Sequence, residues 1–219
     1  MTLLNASLLG GVLALDATTV GQFMISRPLV AGLLSGWLAG DPVSGFLVGV
    51  VLEIYLLVAF PVGGARFPEG ATATVVAAMT VVAHPGPGAF ALGVGFGLMW
   101  GQLGGWTINA MRTLNGWIAP DPAAPLLPPA RVVGGHLLAV LFDFVRGVLV
   151  TGTGVWVAGR AVARFAGNWP LGQEDTVSLF LVGAAVSVGI LLRSFGGLAR
   201  RRVIFLGGLT VGVAGGIFL

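Results

Sequence analysis

Apolar segments recur along this chain from end to end, and most are too short to cross a bilayer. They fall at about 3–15, 28–39, 43–60, 70–83, 87–110, 132–158, 177–193 and 203–219. A helix needs about 20 mostly apolar residues to span the hydrocarbon core. Thirty-seven glycines punctuate these runs. Short, Gly-interrupted segments predict broken or re-entrant helices, which survive at membrane depth only where protein or a water-filled cavity satisfies the free backbone groups. Transporters build their sites this way. A plain bundle of structural helices would show longer uninterrupted runs, although Gly is common in membrane helices of every kind.

A soluble fold fails on charge. Only 9% of the residues are charged, 56% are hydrophobic, and the mean hydropathy is +0.99. An ordinary soluble domain carries about 25% charged residues and uses them to cover its surface. The chain therefore reads as an all-α integral membrane protein, a multi-span bundle forming one membrane-embedded domain over 1–219. All its basic residues are Arg, eleven of them, scattered between apolar segments, so the net charge of +3 is not a nucleic-acid footprint. With no Cys there is no disulfide framework and no thiolate metal site. No metal-ligand cluster, Ser-His-Asp arrangement or kinase set is visible, and no cofactor is implied. "GVGFG" at 93–97 lacks the strand and phosphate-loop context of a nucleotide site. The N-terminus lacks the basic region of a cleaved signal and reads as part of the mature fold.

Two loops look polar or Pro-rich, "NGWIAPDPAAPLLPPAR" at 115–131 and "GRAVARFAGNWPLGQED" at 159–175. They bracket 132–158, which is long enough for one crossing, so they belong on opposite sides. Arg112, Arg131, Arg193, Arg200, Arg201 and Arg202 then share one side, provided 177–193 also crosses. Arg160 and Arg164 share the other with Glu174 and Asp175. The Arg-rich side is expected to be cytoplasmic. "DPVSGFLVG" at 41–49 matches "DTVSLFLVG" at 175–183, a possible inverted repeat in which Glu53 falls in register with Ser187. Chance competes with that reading, because the match is short and apolar.

Ionisable residues inside the apolar runs are the site candidates. Such a group at the bilayer centre costs roughly 2.5–3.5 kcal/mol on insertion scales, so it normally faces a cavity or a partner. Glu53 has long apolar runs on both sides. Its carboxylate could accept from sugar hydroxyls, or it could pair with Arg27 or Arg146 and fasten helices. Asp143 and Arg146 stand three apart in "LFDFVRGVLV", share a helix face and are expected to form a structural pair. His136 lies two turns before Asp143 and reads equally as a site residue or an ordinary hydrogen-bonded His. His84, in "HPGPG", reads as a loop residue. In "PVGGARFPEGATAT", 61–74, Glu69 precedes what looks like a helix start. It either caps that helix or lines a polar cavity.

The block "LDATTVGQFMISRPLVAGLLSGWLAGDPVSGFLVGVVLEIYLL" with "PVGGARFPEGATATVVAA" resembles the IIC component of the mannose/fructose/sorbose-type sugar phosphotransferase system (PTS). The matching positions are Asp16, Gln22, Arg27-Pro28-Leu29, Gly40-Asp41, Leu52-Glu53 and Pro68-Glu69. "GGHLLAVLFDFVRGVLV", with His136 and Arg146, and "GAAVSVGILLRSF" resemble later family helices. Glu69 stands where Asp is usual, Asp16 lies farther before Arg27 than in some members, and the end at "GGLTVGVAGGIFL" falls short of a typical member.

The resemblance implies a non-catalytic subunit that binds a hexose and carries it across the bacterial inner membrane, in an elevator-like motion. A second membrane subunit, IID, would work with it, in trimers of IIC–IID units. Cytoplasmic IIB, charged by IIA, would phosphorylate the arriving sugar. Glu53 and Glu69 become the first sugar-contact candidates, with Asp16 and Gln22 behind them. A phosphotransferase-independent sugar transporter on the same scaffold is the alternative, and a non-transport scaffold or receptor subunit is the third reading.

Overall fold

A computed structural model describes residues 3–57, 66–118 and 128–194, with a few positions between 202 and 210. The described residues form helices α1 (Leu3–Thr18), α2 (Pro28–Ala39), α3 (Pro42–Leu56), α4 (Gly70–Ala83), α5 (Pro87–Ile118), α6 (Pro129–Phe165) and α7 (Gln173–Ser194). A single 3-10 turn, Ala166–Asn168, joins the last two. Seven of the eight apolar segments thus correspond to helices, and most of the eighth, 203–219, lies outside the described residues. So do Arg200, Arg201 and positions 119–127 of the first Pro-rich loop.

The loops are more helical than their composition predicts. Residues 115–118 end α5, 129–131 begin α6, and 159–165 complete α6. Ala, Val and Arg dominate 159–165, and none of them breaks a helix. The Arg160 guanidinium also lies 4.6 Å from the centre of the Trp156 ring one turn earlier.

Helix lengths match a membrane protein with re-entrant parts. At 1.5 Å per residue, the 12 residues of α2 and 15 of α3 reach roughly 18 and 22 Å, less than the hydrocarbon core of about 30 Å. α6 and α7 are long and apolar enough to cross. With 37 residues, α6 runs roughly 55 Å and overshoots the core.

α2 and α3 form a tight antiparallel hairpin. Gly32 and Gly36 of α2 face Gly45 and Gly49 of α3. A Cβ on Gly32 would stand 2.5 Å from the Gly45 carbonyl oxygen, and one on Gly36 would stand 2.8 Å from the Gly45 Cα. Small residues four apart let the two backbones touch. Gly40 makes the turn at φ +96°, where a side chain would be strained. Asp41 then caps α3, accepting from the Ser44 N–H at 3.0 Å. The similar stretch at 175–183 begins in the first turn of α7, whose first residue is Gln173, so Asp175 does not hold the cap position that Asp41 holds.

α4 is the centre. Eleven consecutive residues from Ala71 to Val81 are buried, so every face of the helix is covered. α1, α2, α3, α5 and α6 all pack on it. Its Thr74 and Thr80 hydroxyls donate to carbonyls one turn back, at 2.7 Å each, and so enter the core satisfied. α1 lies on α6 through Gly10, Gly11 and Gly147. Outside this core large apolar side chains are exposed, among them Trp37, Met99, Trp106, Leu149 and Val182, as a lipid-facing surface requires.

Candidate functional site

Two adjoining cavities gather most of the singled-out residues. The larger, about 480 Å³, lies where the C-terminal end of α1, the 19–27 loop, the C-terminal half of α5 and Asp143 of α6 meet. Asp16, Gln22, Arg27, Arg112, Asn115 and Asp143 supply its polar wall. The smaller, about 110 Å³, is lined by Glu53, Glu69 and the Phe67-Pro68 segment. Arg27 lines both.

Arg27 owes its position to Pro28. A residue before proline is held extended, and Arg27 has φ −60° and ψ 137°. Pro28 then opens α2, where a missing N–H costs nothing. The Arg27 guanidinium pairs with Glu53, whose other oxygen accepts from the Leu29 N–H at 3.3 Å. Of the two expected roles, Glu53 thus has the helix-fastening contact, with Arg27 rather than Arg146. It also faces the small cavity, and its side chain keeps 15% exposure.

Glu69 occupies the cap position of α4 without accepting a backbone N–H. Its carboxylate is 1% exposed and held by Arg146, Nη1 to Oε2 and Nη2 to Oε1 at 2.9 Å each. Thr72 also donates to Oε2 at 2.9 Å. The expected Asp143–Arg146 pair is present as well, Nε to Oδ1 at 2.8 Å. The hydroxyls of Thr18 and Thr19 take the other Asp143 oxygen, and Arg146 Nη1 also reaches Thr107 Oγ1 at 3.1 Å. One guanidinium therefore ties α4, α5 and α6 together, and through Asp143 reaches α1. Two buried acids flanking one Arg, all with hydrogen-bond partners, meet the condition under which charge is tolerated in an apolar interior.

Asp16 is 4% exposed, and its oxygens accept from the Phe23 N–H at 2.6 Å and the Ser26 N–H at 2.8 Å. Gln22 stands in the loop so held and lines the large cavity. His136 is exposed and lines neither cavity. It shares a face with Asp143, but most of α6 before residue 139 is exposed. His84 ends α4, with Nδ1 3.2 Å from the Thr80 carbonyl oxygen.

Sequence reasoning missed Asn115, Arg112, Thr18 and Thr19. Asn115 Oδ1 is buried without a hydrogen-bond partner and belongs to the cavity wall. Arg112 lies 5.7 Å from the centre of the Phe67 ring. No apolar run surrounds these residues closely enough to mark them. Among the described residues, no group of His, Asp or Glu side chains could hold a metal ion.

The helical bundle, its short hairpin and its buried charges define an all-α membrane protein with a polar cavity between helices. A family model described as the PTS system sorbose-specific IIC component matches residues 3–123, and the chain belongs to that family. It is similar to two proteins named PTS system sorbose-specific EIIC component. The one from Lacticaseibacillus casei is 31% identical over 65 residues, covering 30% of this chain and 24% of that protein. The one from Klebsiella pneumoniae is 31% identical over 81 residues, covering 37% and 30%. The chain thus matches only 24% to 30% of the length of these relatives. A solved structure described as a membrane protein shares the fold, with a TM-score of 0.73 at 20% identity, over 98% of this chain and 89% of that one.

Proposed function

We propose that this chain is the sugar-carrying membrane subunit of a bacterial sugar phosphotransferase system. It binds a hexose within the inner membrane, moves it by an elevator-like shift and releases it for phosphorylation by cytoplasmic IIB. It does not carry the phosphoryl group itself. IIA charges IIB, and IID joins this chain in a trimer of paired membrane subunits. The family supports the system, and the polar cavity of about 480 Å³ carries the reading of this chain as its sugar holder.

That volume lies within the roughly 300–1,000 Å³ usual for small-ligand sites. Its wall offers amides at Gln22 and Asn115 and guanidiniums at Arg27 and Arg112, groups suited to hydroxyls that both donate and accept. Glu53, beside the smaller cavity, is the carboxylate nearest to use, being part exposed and sharing Arg27 with the larger one. Glu69 acts on the sugar through the placement of Arg146 and the α4 terminus, and Asp16 through the loop bearing Gln22. The cavity lies toward the end of α5 that carries Arg112, the end expected to face the cytoplasm from the Arg distribution. A sugar there is close to a soluble phosphoryl donor.

The test is uptake of labelled hexoses into membrane vesicles containing this chain and its neighbouring membrane subunit, with and without a phosphoenolpyruvate-driven soluble fraction. Sugar phosphate accumulating only with that fraction is the expected result. Free sugar that equilibrates regardless of phosphoenolpyruvate makes the chain a plain transporter on the same scaffold. No uptake of any hexose removes the transport reading.

A further inference from the structure

We propose that Asp16 is a positioning residue for the cavity: it holds the 19–27 loop in the shape that presents Gln22 to the ligand. This rests on the sugar-carrying function proposed above. The loop is strained. Gly21, Gln22 and Met24 have φ of +78°, +52° and +65°, in the left-handed region, and two of the three carry side chains. Such residues persist only where their surroundings over-determine them.

Packing does not supply that constraint. Phe23 is 76% exposed, Met24 69% and Val20 44%, so apolar packing holds the loop only weakly. The Asp16 carboxylate does supply it. One oxygen takes the N–H of Phe23, the residue between the two strained ones, and the other takes the N–H of Ser26. Asp16 is itself immobilised in the last turn of α1, whose Gly11 and Ala14 lie against α6. A buried carboxylate on a packed helix thus fixes two points of a loop whose other ties are short-range backbone hydrogen bonds, Gln22 N–H to Val20 and Arg27 N–H to Met24, and the Arg27–Glu53 pair at its end. Gln22, Met24, Ser26 and Arg27, all in that loop, line the cavity. Without the anchor Gln22 relaxes to negative φ and its amide leaves the wall.

The chain contains no Cys, so with a membrane partner whose own cysteines have been replaced, a single introduced thiol reports on the loop alone. Phe23→Cys carrying a nitroxide spin label, in the full chain purified with its membrane partner, measures loop mobility. Binding of labelled sorbose and mannose measures function. Asp16→Asn keeps one acceptor and turns an NH2 toward the second N–H. It is expected to mobilise the label and weaken sugar binding about tenfold, as much as Gln22→Ala does. The double variant Asp16→Asn, Gln22→Ala is expected to bind no more weakly than either single one, because both act through the same amide. Met24→Gly, which adopts positive φ freely, restores part of the affinity of Asp16→Asn. Asp16→Glu, which displaces the carboxylate but keeps its charge, serves the same comparison if Asp16→Asn does not fold.

An unchanged label spectrum overturns the proposal whatever the sugar data show. So do losses that multiply to about a hundredfold in the double variant, which would make Asp16 a direct contact. A wild-type chain that binds neither sugar sinks the proposed function instead, and the label still decides whether Asp16 holds the loop.

Discussion

Arg146 grips both carboxylate oxygens of Glu69 with parallel hydrogen bonds of 2.9 Å, although 77 residues separate them. The third guanidinium nitrogen holds Asp143 at 2.8 Å. A planar fork suits two carboxylates at once in a way a lysine ammonium cannot. The N-terminus of the central helix is thereby locked to α6.

Loss of that fork is expected to destabilise the bundle strongly. Breaking a buried pair by removing one partner costs about 3–5 kcal/mol, because the remaining charge stays buried. Arg146→Gln strands two acids and should be the worst single change at the site. Arg146→Lys, keeping the charge but not the fork, should fall between it and the wild type. Thermal unfolding of the detergent-solubilised chain, followed by size-exclusion chromatography, ranks the three, and an Arg146→Gln protein as stable as wild type would refute the lock.

Glu53 should behave differently. Its partner Arg27 has a side chain 46% exposed, so the pair resembles a solvent-screened ion pair worth about 1 kcal/mol or less. Glu53→Gln is expected to leave assembly and melting nearly unchanged while lowering hexose affinity at least tenfold. Parallel melting and sugar-binding measurements separate the two effects. A large fall in melting with affinity retained would make Glu53 a fastening residue only.

The hairpin tolerates no added carbon where α2 meets α3. Gly45→Ala puts its Cβ onto the backbone of Gly36 and forces the helices apart, an overpacking that typically costs about 1–3 kcal/mol. Gly95→Ala is the control, since nothing lies within 4 Å of its Cβ position. There the helix-propensity gain of up to about 1 kcal/mol should stand alone. Equal effects of the two changes on melting would contradict the close approach.

Asn115 should matter to ligand and not to fold. Its Oδ1 is buried with no partner, so a bound hydroxyl would satisfy it. Asn115→Leu is expected to weaken hexose binding about fivefold to tenfold, the worth of roughly one hydrogen bond. Melting without sugar should hold or rise slightly. Binding isotherms across several hexoses would show which ring positions the amide reads.

Much of the architecture was legible because membrane solvation writes it into composition. Segments 28–39 and 70–83 coincide with α2 and α4, and 3–15 with most of α1. Pro28, Pro42 and Pro87 each open a helix, as a residue without an N–H does best. The Asp143–Arg146 pair was legible for a similar reason: three residues apart in one helix places both on one face. Local rules reached no further. Spacing along α6 put His136 with Asp143, yet the two share a face and not an environment, because α6 is longer than the helices that cover it. Asn115 carried no signal, because its sequence reads as the start of a Pro-rich loop whereas it stands in α5.

Hydrophobicity, Gly and Pro spacing, and the scarcity of charge were enough to place this chain in a membrane as a set of short and long helices. Those are properties of each segment and its solvent, and neighbours are not needed to read them. Which acid meets which Arg was decided only when the helices packed. Glu53 found Arg27, 26 residues away, and Glu69 found Arg146, because α4 stands at the centre with its N-terminus against α6. Burial makes an unpaired charge too costly, but any nearby opposite charge can relieve it. The partner is therefore set by three-dimensional proximity, which no single segment encodes.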